Sequence, residues 1–242
     1  MEKETMQLTD HLAELRKRLI ITLLTFIVAL IGSLVFVGDL YHYLVRDLDG
    51  KLALLGPGDI LWVYMVIASV FAVAFTIPIA AYQVWSFIKP ALSNEEQRAT
   101  LMFIPGLFIL FIIGISFGYF VLFPLVLSFL LEIAGDQFQT FFTAEKYFQF
   151  MLHLTLPFGF LFEMPAVVMF LTRLGIVTPQ KLIKGRKIAY FLLVAISVLI
   201  TPPDLISDVL VIIPLFILYE ISISLSKVVY KKRVSSEAAA VA

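Results

Sequence analysis

Residues 101–123 read LMFIPGLFILFIIGISFGYFVLF, twenty-three residues without a formal charge. Wound as a helix at 1.5 Å per residue, they reach about 34 Å. That exceeds the ~30 Å hydrocarbon core of a bilayer. Three other stretches match this one in kind: 19–37, 60–82 and 148–171. The whole chain agrees, with 61% hydrophobic and 15% charged residues and a mean hydropathy of +0.99. Soluble domains run near half and a quarter. The chain therefore reads as an all-α, polytopic membrane protein.

Two further apolar stretches are shorter, 188–200 and 209–225. The first reaches only about 21 Å before Pro202-Pro203. It is either half of a re-entrant hairpin or one of two short true spans in a locally thinned bilayer. The expectation is two short spans, six in all, although a hairpin leaves the tail on the same side. Six spans put 15 of the 18 Lys and Arg residues on the side of the termini, and only Arg46, Lys51 and Lys146 opposite. That bias predicts cytosolic N- and C-termini. Residues 1–228 form one six-span domain in this reading, and 229–242 a basic, then disordered, cytosolic tail. Pro78, Pro105, Pro157, Pro165 and Pro214 predict kinked helices.

Several function classes find no support. The chain has no Cys, which removes disulfides and thiolate chemistry. The polar, acidic start does not match a cleavable signal peptide. Net charge is zero, so no nucleic-acid partner is indicated. Neither H-E-x-x-H nor a P-loop occurs, and no metal, cofactor or catalysis is expected. Gly114-Ile115-Ser116-Phe117-Gly118 matches the nucleophile pattern G-x-S-x-G, but that pattern needs a strand–turn–helix elbow. Inside an apolar span the same residues read as a Gly-x-x-x-Gly packing surface, and His153 lacks an evident Asp to orient it. Inverted repeats, the mark of secondary transporters, are not visible.

The remaining candidates are polar residues in or beside the spans. Glu163 lies ten residues before Arg173, roughly 15 Å into the membrane, where a carboxylate costs a few kcal/mol. It is either functional or bonded to backbone freed by Pro157 or Pro165. Leu8, Leu12, Leu15 and Leu19 line one face of a helix expected in the interface before the chain turns into the first span. On that helix Glu14 either pairs with Arg18 or contacts a basic peptide. Ser93-x-x-Glu96 is a capping box for the third helix, and Trp85 and Tyr82 suit an aromatic belt. Asp204 suits the N-cap of the sixth helix. Asp208, one turn on, is open to pairing with a Glu163-like partner or with an incoming helix.

Taken in order, these segments resemble the TatC family, the polytopic subunit of the twin-arginine translocase, in its Gram-positive form. Residues 11–19, 81–92, 117–124, 158–165, 199–204 and 213–220 carry the likeness. The resemblance implies a glove-shaped bundle in the bacterial cytoplasmic membrane. It implies a receptor for folded precursors whose signal peptides carry paired arginines, driven by the proton-motive force. Glu14 and Glu96 match the acids that meet those arginines, and Arg16, Phe87 and Leu92 fall on neighbouring functional positions. Glu163 matches an intramembrane acid on the concave face that meets single-span TatA-type subunits. Asp204 matches the acid of the last extracytosolic turn, Asp208 falls on a polar position of the sixth span, and several copies assemble in the complex. Departures occur at Arg46-Asp47-Leu48, where a proline is usual, at Ser93-Asn94 and Gln97, and at Asp208, where Gln is frequent. The competing readings are a proton-coupled transporter titrating at Glu163 and, more remotely, a hydrolase using Ser116.

Overall fold

A computed structural model describes residues 2–46, 48, 51–92, 97, 100–135, 141–201 and 205–241. Its helices are α1 (Glu2–Val45), α2 (Gly58–Ile88), α3 (Phe103–Ala134), α4 (Ala144–Leu161), α5 (Met164–Arg173), α6 (Pro179–Lys184), α7 (Arg186–Ile200) and α8 (Leu205–Val241). A 3₁₀ turn, Lys89–Ala91, follows α2. Among the described residues the only β contact is an isolated parallel bridge, Ala53 to Thr143. The chain forms two compact units, Met1–Phe108 with Phe142–Phe148, and Ile109–Phe141 with Gln149–Ala242.

In the first unit α1 and α2 run antiparallel. No Gly or Pro occurs from residue 2 to 31, so nothing interrupts the helix. The amphipathic segment continues into the first span as one helix, without the expected turn between them. Asp59 organises the start of α2: its Oδ2 accepts from the N–H groups of Leu55 (2.8 Å) and Gly56 (3.1 Å). Val63, Ile67, Ala68 and Ala72 are buried, a stripe at 3–4-residue spacing with small side chains that allow close approach. At the other end of this helix pair, Tyr41 stacks on Phe148 (5.6 Å) and lies 6.0 Å from Tyr64.

In the second unit α3 presses on α4 through glycine. A Cβ at Gly114 would meet the backbone of Phe158 and Gly159, and one at Gly118 would lie 2.6 Å from Thr155 Cα. The packing reading of this motif is the correct one, and Ser116 sits mid-helix rather than on an elbow. Between Gly118 and Leu122 the helix widens to π geometry, Phe123 N–H bonding Gly118 O. Pro124 accounts for the widening, because it has no N–H for the carbonyl four residues back. The core of this unit gathers Leu122, Phe158, Leu193, Val211, Leu215, Leu218, Tyr219 and Ile223. Gly175, at φ +75°, ends α5, and Ile176 N–H returns to Leu171 O at 3.1 Å, a Schellman closure.

Five helical stretches are long and apolar enough to cross a membrane: His11–Val45, Gly58–Ile88, Phe103–Ala134, Ala144–Arg173 and Ile206–Ser235. At 15 residues, α7 is short, as the sequence indicates. The sixth span is not. Residues 209–225 lie within the 37-residue α8, which continues through the segment expected to be disordered. Lys231, Lys232 and Arg233 before that segment, and Glu237 and the alanines within it, are strong helix formers, and the Arg233 guanidinium is seated against Gly175. Pro78, Pro157 and Pro214 lie inside helices, whereas Pro165 starts α5 and Pro105 falls in the first turn of α3.

Candidate functional site

The first unit assembles a polar group where the early part of α1 meets the end of α2. Glu14 and Arg18 are one turn apart, and Arg18 Nε donates to Glu14 Oε1 at 2.8 Å. Arg18 Nη1 donates to Gln83 Oε1 of α2 at 2.9 Å. The helical pairing foreseen for Glu14 is therefore present, yet it uses one carboxylate oxygen. Oε2 meets no donor among the described residues. Beside this network the His11 ring leans on Phe87, centroids 5.4 Å apart.

The turn after α2 is braced from both sides. Trp85 is buried and its Nε1–H donates to Thr100 Oγ1 at 2.9 Å, with Lys89 Nζ 5.5 Å above its ring. Gln97 Nε2 reaches back to the carbonyls of Leu92 (3.0 Å) and Lys89 (3.3 Å). Leu92 is thus fixed through its backbone while its side chain stays half-buried. Glu14 and Phe87 join this neighbourhood. Arg16 is exposed, about 200° around α1 from Glu14, and stands apart from it. Glu96 and its capping box lie outside the described residues.

The second unit holds the other acids. Pro165 leaves Leu161 O without its helical donor, and the helix breaks at Phe162-Glu163, with Glu163 at the N-cap position of α5. The Glu163 side chain makes no capping bond, and its Oε1 is buried without a partner among the described residues. The freed backbone is not what it serves. Asp208 has a partner instead: its Oδ1 accepts from the Thr201 hydroxyl, stapling the start of α8 to the end of α7. Asp204 lies outside the described residues.

Sequence reasoning missed two features. Gln83, 8% exposed, is a lone amide in an apolar run, the signal that singled out Glu163. Glu220 is the same kind of signal. It accepts from Arg186 Nη2 (2.7 Å) and from Tyr190 OH (2.6 Å), while Tyr190 stacks on Phe216 at 4.3 Å. Among the described residues, no three His, Asp or Glu side chains are grouped to hold a metal ion.

A family model described as Sec-independent protein translocase protein (TatC) matches residues 10–214. The chain is 60% identical to the Sec-independent protein translocase protein TatCd of Bacillus subtilis (strain 168), over 100% of both chains. It is 44% identical to TatCy of the same organism, over 99% of this chain and 96% of that one. A crystal structure titled Twin Arginine Translocase Receptor- TatC superposes with a TM-score of 0.78 at 34% identity, covering 90% of this chain and 99% of that one. By the family match over residues 10–214 and these identities, the chain belongs to the TatC family, a membrane component of the Sec-independent protein translocase that works with other subunits and is not an enzyme.

Proposed function

We propose that this chain is the signal-peptide receptor and core subunit of a twin-arginine translocase. It sits in the bacterial cytoplasmic membrane with both termini in the cytosol. Glu14 and Glu96 take the paired arginines of signal peptides on folded precursors, with Arg16, Phe87 and Leu92 around them. Glu163, Asp204 and Asp208 recruit single-span TatA-type subunits, several copies assemble, and the proton-motive force drives export.

The observation that carries this reading is the state of Glu14. Its side chain is 40% exposed, one carboxylate oxygen is unengaged among the described residues, and the Phe87–His11 ring pair stands beside it. A guanidinium arriving from the cytosol meets an acceptor oxygen and an aromatic face. The 15-to-3 bias of basic residues supports the cytosolic placement of that end.

The test is site-specific photocrosslinking of a radiolabelled Arg-Arg precursor to membranes containing the chain. Replacing both acids, Glu14→Ala with Glu96→Ala, is expected to reduce crosslinking at least roughly tenfold, the loss of one to two charge-assisted contacts. Crosslinking at the wild-type level in that double variant would remove these acids from the recognition site.

A further inference from the structure

The acid on which the receptor reading relies is already held by an arginine of this chain. Arg18 Nε and Nη2 both converge on the single oxygen Oε1 of Glu14, at 2.8 Å and 2.6 Å. Nη1 is tied separately to Gln83 Oε1 at 2.9 Å, and Gln83 is buried on the neighbouring helix. The guanidinium is therefore anchored at two points on different helices. It also lies deeper than its partner, 23% of its side chain exposed against 40% for Glu14. A full arginine–carboxylate fork engages both oxygens through two parallel N–H···O bonds; this internal pair engages one.

We propose that Arg18 is a resident guanidinium that guards Glu14 and sets the site's preference for arginine over lysine. An incoming guanidinium engages both Glu14 oxygens as a fork and displaces Arg18 from Oε1. Gln83 retains the displaced Arg18, so the exchange needs no rearrangement of the helices. A lysine ammonium is a compact point charge without a fork. It gains too little to displace Arg18, and beside the undisplaced guanidinium it meets like-charge repulsion. Without Arg18, Glu14 accepts either cation. A pair that served only to support α1 would need no second anchor on α2. The inference rests on the receptor reading of Glu14 and states how that site chooses its ligand.

The test measures, by fluorescence anisotropy, the binding of two synthetic signal peptides that differ only in carrying Arg-Arg or Lys-Lys. The full-length chain is used in nanodiscs as wild type, Glu14→Gln, Arg18→Gln and Arg18→Lys. The wild type is expected to favour the Arg-Arg peptide by roughly tenfold or more. Arg18→Gln is expected to gain affinity for the Lys-Lys peptide and bring the ratio below about threefold. Arg18→Lys, which keeps the charge and loses the planar anchor, falls between, and carries the comparison alone if Arg18→Gln does not fold. An unchanged Arg-to-Lys ratio, or loss of both peptides by a variant that unfolds at the wild-type temperature, overturns the guard role. Equal binding of both peptides by the wild type, or full binding by Glu14→Gln, instead overturns the receptor reading of Glu14. A purely supportive pair would shift the unfolding temperature and leave the ratio where it was.

Discussion

Glu163 is a buried acceptor placed beside a helix break and given nothing to accept from. Its Oε1 has no hydrogen-bond partner among the described residues, and leaving such a group buried and unmet costs on the order of 1–3 kcal/mol. A fold optimised for stability alone would carry an apolar residue there. Glu163→Leu is therefore expected to raise the unfolding temperature in detergent by a few degrees, while co-purification of a tagged single-span subunit falls. A lower unfolding temperature would show that the carboxyl supports the break. The sequence exposes Glu163 because an acid stands out in an apolar run. Gln83 and Glu220 sit in similar runs, but their meaning depends on the partners Arg18, Arg186 and Tyr190, from other turns or other helices. No local pattern pairs them. Glu14 shows the opposite limit: its spacing to Arg18 foretells the pair, and the spare oxygen becomes visible only with the atoms in place.

At the level of elements, the α3–α4 seam shows how closely two spans can approach when glycine replaces side chains. Gly118 lies against Thr155, and Gly159 against Phe111 and Ile115. Gly118→Val would force a Cβ into the α4 backbone, an overpacking cost of about 1–3 kcal/mol, and is expected to lower the unfolding temperature by several degrees. Ser116→Ala, two residues away on the same helix, is expected to leave it unchanged. A neutral Gly118→Val would mean that the seam opens without cost. Helix identity was legible from apolar runs, because 3.6-residue periodicity and length suffice for that. Helix ends were not. An apolar window marks where lipid ends, whereas Glu, Gln, Lys, Arg and Ala continue a helix beyond it. Hence α1 begins at Glu2 and α8 runs to Val241, well past the windows 19–37 and 209–225. The π-helical stretch Gly118–Leu122 was equally out of reach: Pro124 is not among the prolines expected to kink a helix, and a proline does not specify the form of the distortion it causes.

For the molecule as a membrane object, the decisive mismatch is α7. Its 15 residues reach about 22 Å, against a ~30 Å hydrocarbon core. A short helix joined to its neighbour at one end alone could shift along that neighbour to favour one interface. Here both ends are fixed to α8: Arg186 and Tyr190 to Glu220, and Thr201 to Asp208. With α7 held in register, the bilayer must adjust, and thinning costs fractions of a kcal/mol per ångström of mismatch. The cost disappears in a thinner bilayer. Unfolding temperature measured in nanodiscs is therefore expected to be highest with 14-carbon acyl chains and to fall through 18 to 22 carbons. Releasing one end with Asp208→Ala should flatten that dependence, because α7 can then slide while α8 stays in place. A curve that is level for the wild type, or that rises with chain length, would mean that α7 is shielded from lipid and imposes no thinning. If the curve falls and Asp208→Ala flattens it, the staple at Asp208 is what turns a short helix into a locally thin membrane.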